Sequence, residues 1–159
     1  MGLGGGTYVT GNGAGGAYRD SGFGLTLRYR AAESLGIEAG WQFHQDSWET
    51  VSTRTTQPAS LSFQVFAFPW AVLSPYALAG VTVTRQIDHS VYWATLPVPD
   101  GDTSRIYAGP HAGLGLELSV GFQTAISVEA RSIRYIAPIT GSPDDGRAFQ
   151  SRVMLNVYF

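Results

Sequence analysis

Hydrophobic and polar residues alternate with a period of two along most of this chain. Leu35, Ile37, Ala39, Trp41 and Phe43 stand against Gly36, Glu38, Gly40, Gln42 and His44. Phe23, Leu25, Leu27 and Tyr29 stand against Gly24, Thr26, Arg28 and Arg30, and Ala112, Leu114 and Leu116 against His111, Gly113, Gly115 and Glu117. Ile126, Val128 and Ala130 alternate with Ser127, Glu129 and Arg131; the chain ends with Val153, Leu155, Val157 and Phe159 opposite Arg152, Met154, Asn156 and Tyr158. Successive side chains of an extended chain point to opposite faces, so each segment predicts a strand with one greasy and one polar face. No segment carries a helical stripe.

The connections alternate between two sizes. Short ones fall near 31–34, 71–74 and 118–121; long polar ones fall near 11–21, 46–58, 88–104 and 137–146 and carry most of the Asp. That predicts eight antiparallel strands in one domain over 1–159, with both termini on the short-turn side. Several strands run to about ten residues or more, enough to cross a bilayer when tilted. The first strand, near Gly2–Val9, is Gly-rich and weakly patterned. The fifth, near Pro75–Gln86, offers two faces, one with Tyr76, Leu78 and Gly80 and the other with Ala77, Ala79, Val81 and Val83. In the fourth, Leu61, Phe63 and Val65 form the apolar face, but Phe66, Phe68 and Trp70 make both faces apolar near the turn.

Composition decides which face is enclosed. Charged residues are 14% of the 159, against roughly 25% in soluble domains, while 44% are hydrophobic. All ten cations are Arg, net charge is -2, and Cys is absent, which removes disulfide, zinc-thiolate and Cys-nucleophile readings and any strong electrostatic case for nucleic acid. No apolar run reaches the length of a spanning helix. The stretch after Met1 is Gly-rich rather than basic and then apolar, so the sequence is read as a mature chain behind an added Met. The polar face is mostly small, with Gly24, Gly36, Gly40, Gly109, Gly113 and Gly115, as the inside of a narrow barrel requires. Its large members balance in sign: Glu38, Glu117 and Glu129 with Arg28, Arg30, Arg131 and Arg152. Enclosed charges come paired, so these predict an internal ion-pair cluster whose individual pairings stay open. Tyr29, Trp41, Phe43, Tyr76, Phe149 and Phe159 are expected on or beside the apolar face as interfacial girdles. The sheet must then close, because unpaired backbone groups are too costly in hydrocarbon.

With these features the chain resembles the small eight-stranded outer-membrane barrels of Gram-negative bacteria, the OmpA/OmpX-like group. The terminal RVMLNVYF, with Val153, Leu155, Val157 and a final Phe159, is similar to the signal that the barrel-assembly machinery reads in that group. HAGLGLEL (111–118) and ISVEARSIRY (126–135) resemble its sixth and seventh strands. The resemblance implies an up-and-down transmembrane barrel with three short periplasmic turns and four longer extracellular loops. It also implies a lumen plugged by Glu/Arg pairs, no cofactor, and outer-membrane lipid and lipopolysaccharide as surroundings. Segment 132–149 also runs loosely parallel to the active-site region of PagL-like lipid A deacylases. There Arg134 stands in place of the family's His and Ile136 in place of its Ser, and no Glu follows Ile133. Neither side chain can serve as base or nucleophile, so the enzyme reading is disfavoured.

The remaining candidates are modest. His44, His89 and His111 lack metal or triad partners at sequence spacing, and two of the three can face the lumen. The Gly-rich start has no following helix and no Lys, so it is no phosphate loop. Tyr92 and Trp93, with Trp48 placed in the neighbouring long loop, form a candidate contact patch for an unknown surface ligand. The expected function is a non-enzymatic, monomeric or weakly associated scaffold presenting surface loops. A narrow gated pore, a lipid-modifying enzyme and a soluble lipocalin-like carrier are the competing readings.

Overall fold

The computed structural model describes residues 2–12, 20–48, 52–90, 103–138 and 147–159. Nine extended segments run β1 (Gly2–Asn12), β2 (Asp20–Ala32), β3 (Leu35–Trp48), β4 (Ser52–Phe66), β5 (Leu73–Ser90), β6 (Thr103–Ser119), β7 (Thr124–Arg134), β8 (Ala137–Pro138) and β9 (Arg147–Tyr158). Eight are long; β8 is a two-residue stub against Tyr107 and Ala108 of β6. Each long strand pairs antiparallel with its neighbours, β7 with β9, and β9 with β1. The ring is therefore an eight-stranded closed barrel, and backbone donors and acceptors along the paired spans find partners within the wall.

Alternation sets the burial. On β7 every second residue from Ala125 to Ile133 is buried and those between are exposed. Inward come Arg28, Glu38, Gln42, Gln64, Thr82, His111, Glu117, Glu129 and Arg152; outward come Phe23, Leu25, Trp41, Leu61, Phe63, Val81, Leu114, Val128 and Leu155. This inverts the arrangement of a water-soluble domain, and a surface with so many exposed large apolar groups requires hydrocarbon around it. Gly24, Gly36, Gly109 and Gly115 face inward and buried, as the narrow interior demands.

Three expectations need correction. The segment 46–58 is not a long connection: β3 reaches Trp48, β4 begins at Ser52, and Asp46 pairs with Arg54. The Thr-rich stretch there lacks alternation because an antiparallel ladder beyond the hydrocarbon needs no greasy face, yet its β-branched residues still favour extension. Pro58 is accommodated within β4. Its N–H-less side faces β3, where no pairing falls between Trp41↔Ala59 and His44↔Thr56, while it keeps Thr84 as its β5 partner. The second correction is Tyr76, which is 3% exposed and faces the lumen with Leu78 and Phe66 rather than joining an outer girdle. The β5 register is unbroken on both edges, so no bulge mixes its faces. Third, two short connections are displaced: they occupy 67–72 and 120–123, with 33–34 close to its expected place.

Candidate functional site

Register alone creates the first ion pairs. Arg28 lies directly opposite Glu38, and Glu129 directly opposite Arg152, in adjacent strands. Arg28 Nη2 donates to Glu38 Oε2 at 2.7 Å, and Arg152 Nη2 to Glu129 Oε2 at 2.6 Å. On β7, Arg131 and Glu129 are two apart and so share a face, joined by Arg131 Nε to Glu129 Oε1 at 2.7 Å.

The remaining contacts cross the lumen. Arg152 Nη2 also reaches Glu38 Oε1, and Arg131 Nη2 approaches the same oxygen at 3.4 Å. Arg28 Nη1 reaches Glu117, whose second oxygen is held by Arg30. The seven charged residues of the polar face thus converge in one network, with Arg30 at its short-turn edge. The side chains of Glu38, Glu129 and Arg152 are fully enclosed. At such low effective dielectric the attraction is strong, but so is the desolvation cost, and only multiply bonded ions balance it.

Neutral groups complete the network. Gln64 Nε2 donates to Glu38 at 3.0 Å, Tyr76 Oη to Glu129 at 3.0 Å, and Tyr158 Oη to Glu117 at 2.7 Å. Their roles were not read from the sequence. For Tyr76 a signal existed: its register partner is Gly115. A Cβ built at 115 would lie 2.2 Å from the tyrosine ring, so only glycine lets the ring lie flat on that strand. The ring also sits 5.0 Å from Phe66 and 5.4 Å from the Arg28 guanidinium, and Arg30 stacks 4.3 Å over Phe66.

Toward the long loops the lumen becomes neutral. Gln150 Nε2 donates to Gln42 Oε1 at 2.6 Å, and His44 Nε2 donates to the same oxygen at 3.0 Å. His111 Nε2 meets Ser62 Oγ at 2.9 Å and its Nδ1 meets Thr82 Oγ1 at 2.8 Å. A Ser beside a His is the first half of a nucleophile–base pair. Here the second ring nitrogen meets a hydroxyl rather than a carboxylate, and both Ser62 and His111 are buried in the lumen. Among the described residues no group of three or more His, Cys, Asp or Glu could hold a metal.

The other candidates are scattered. Val153, Leu155 and Val157 face outward and Phe159 lies exposed beyond β9. Trp48 belongs to the end of β3, with Ser52 as its register partner, rather than to a loop. Tyr92, Trp93 and the side chains of His89 and Trp48 lie outside the described residues. Arg134 and Ile136 both point outward, away from the lumen groups.

A family model described as an outer membrane protein beta-barrel domain matches residues 1–159. No curated protein sequence matches the chain. Among solved structures the chain is similar to Neisserial surface protein A, with a TM-score of 0.80 and 11% identity over 99% of this chain and 96% of that one. It is similar to Ail, the attachment invasion locus protein of Yersinia pestis, with a TM-score of 0.65 and 14% identity over 99% and 95% of the two chains. The outer membrane enzyme PagL aligns with a TM-score of 0.58 and 16% identity over 100% of both chains. At these identities the likeness is one of fold.

Proposed function

The chain belongs to the outer membrane protein beta-barrel domain family and resides in the bacterial outer membrane, and from that premise we propose that it is a non-enzymatic scaffold presenting surface loops, its lumen closed by the Glu/Arg network. One observation carries this reading. Inward residues of β2, β3, β4, β5, β6, β7 and β9 are bonded to one another across the barrel axis, from Arg28 to Glu117 and from Arg152 to Glu38. Eight strands leave an interior that side chains can fill, and this set forms a cross-brace rather than a substrate site. The exposed Val153, Leu155, Val157 and Phe159 suit delivery to the assembly machinery, and lipopolysaccharide would surround the outer half of the wall.

A narrow gated pore is the second reading, favoured by one detail. Arg152 holds Glu38 and Glu129 through Nη2 alone, and its buried Nε and Nη1 have no hydrogen-bond partner. Those donors are spare for an exchange of partners. Planar-bilayer recording separates the two readings. The scaffold gives no steady single-channel current in the wild type; steady currents that Glu129→Gln alters would replace it with the pore. Fatty acid released from lipopolysaccharide by the purified barrel would establish an enzyme instead.

A further inference from the structure

The short-turn end of the barrel holds a recess of about 530 Å³ between two turns. Arg30, Ala32 and Glu33 line it from one turn, and Pro69 and Trp70 from the other. Backbone hydrogen bonds fix its walls. Phe66 N donates to Ser34 O at 2.8 Å, which ties the first turn to β4. Ala67 N donates to Pro75 O and Ala71 N to Phe68 O, both at 3.0 Å, which closes the second. The Trp70 ring is braced edge-on against Phe68, 6.2 Å between centroids, and stays 78% exposed.

The two charges of this recess do not neutralise each other. Among the described residues Arg30 is paired with Glu117 rather than with Glu33, and it shares that carboxylate with Arg28. Glu33 is exposed. The lumen network joins Arg28, Arg30, Arg131 and Arg152 to Glu38, Glu117 and Glu129, so it carries an excess of positive charge. Arg28, Arg131 and Arg152 are enclosed, whereas the Arg30 side chain is 28% exposed, so the excess emerges at the recess. Stacking 4.3 Å over the Phe66 ring fixes the plane of its guanidinium. A held guanidinium, an exposed carboxylate and an exposed indole thus border one hollow.

We propose that this recess binds the ethanolamine phosphate headgroup of an inner-leaflet phospholipid, with the phosphate at Arg30 and the ammonium between Glu33 and the Trp70 ring. A guanidinium matches phosphate oxygens in geometry and charge. An ammonium is drawn both to a carboxylate and to the face of an indole. A simple anion would meet repulsion from Glu33 and a simple cation repulsion from Arg30; a compact zwitterion satisfies both. The lipid source follows from continuity. Phe68, Val72 and Leu73, each more than half exposed, carry the apolar outer wall to the edge of the recess. The chains can lie on that wall while the head turns inward. Apolar rim side chains accept any phospholipid, whereas Arg30 and Glu33 together select among headgroups.

Native mass spectrometry of the purified barrel in detergent tests this, with phosphatidylethanolamine and phosphatidylglycerol added in equal amounts. The two lipids share the phosphate and differ in the ammonium. The wild type should retain phosphatidylethanolamine about fivefold over phosphatidylglycerol. Glu33→Gln should bring that ratio close to one, and Trp70→Leu should lower it. Arg30→Gln should weaken retention of both lipids. Folding of each variant is checked by its heat-dependent gel mobility; Glu33 and Trp70 lie outside the lumen network, so their variants decide even where Arg30→Gln does not fold. Equal retention of the two lipids by the wild type, or a preference that survives Glu33→Gln, would overturn the proposal. Soluble O-phosphoethanolamine should displace the lipid only in large excess. Displacement at equal concentration would assign the recess to the free compound and overturn the lipid as its occupant.

Discussion

The lumen has two halves that share one wall and differ in chemistry. Toward the short turns, Glu38, Glu117 and Glu129 are gripped by Arg28, Arg30, Arg131 and Arg152. Toward the long loops, Gln42, Gln150, His44, Ser62, Thr82 and His111 make neutral hydrogen bonds. Both halves are buried, and both satisfy most of their polar atoms inside the barrel. The difference lies in what remains when one partner is removed. A stripped carboxylate or guanidinium is an uncompensated buried charge, whereas a stripped amide is one lost hydrogen bond. The charged half should therefore hold the barrel closed, and the neutral half should tolerate change.

The largest expected effect is at Glu38, which gathers Arg28, Arg131, Arg152 and Gln64. Glu38→Ala should destabilise the barrel by roughly 3–5 kcal/mol, at the upper end of that range, read as the unfolding midpoint in detergent. Glu129→Ala and Arg131→Ala should follow within the same range, about 3–5 kcal/mol each. The double variant should cost less than their sum, because each single change strands the other's charge. Unchanged midpoints for both single variants would remove these residues from the enclosed network.

Next comes the tyrosine that braces this half. Tyr76→Phe removes the donor to Glu129 and should cost about 1.5–3 kcal/mol. Gly115→Val drives a side chain into the tyrosine ring and should cost about 1–3 kcal/mol by overpacking. If Gly115→Val is silent, the ring does not lie where described.

The smallest effect belongs to the neutral half. Replacing Gln42 and Gln150 together by Leu removes both partners of one bonded pair but takes from His44 Nε2 the oxygen it donates to, and the midpoint should move by about 1–3 kcal/mol, with no charge left uncompensated. A loss as large as that of Glu38→Ala would erase the distinction between the halves.

The sequence revealed the wall better than the lumen's wiring. Alternation places Glu38, Glu129 and Arg152 inside because period two is a local property of the strand. Once strands are paired, Arg28 with Glu38 and Glu129 with Arg152 follow from register. The contacts of Arg152 with Glu38 and of Arg28 with Glu117 do not, since 114 and 89 residues separate the partners and they meet only across a closed barrel. Tyr76 escaped because β5 is apolar on both faces near its start, so the pattern there has no polar side to mark the lumen. The β3–β4 hairpin escaped because Thr53, Thr55 and Thr56 extend past the hydrocarbon, where alternation has no work to do.

Everything rests on the inverted orientation of the strands, and β7 tests it directly. With no native Cys, single substitutions Ile126→Cys, Ser127→Cys, Val128→Cys, Glu129→Cys and Ala130→Cys can each carry a nitroxide in a bilayer. Oxygen, which concentrates in hydrocarbon, should relax the labels at 126, 128 and 130 strongly and those at 127 and 129 weakly. A reversed alternation, or labels at 126, 128 and 130 reached by a water-soluble nickel chelate instead of oxygen, would show that the apolar face points inward and contradict the barrel described here.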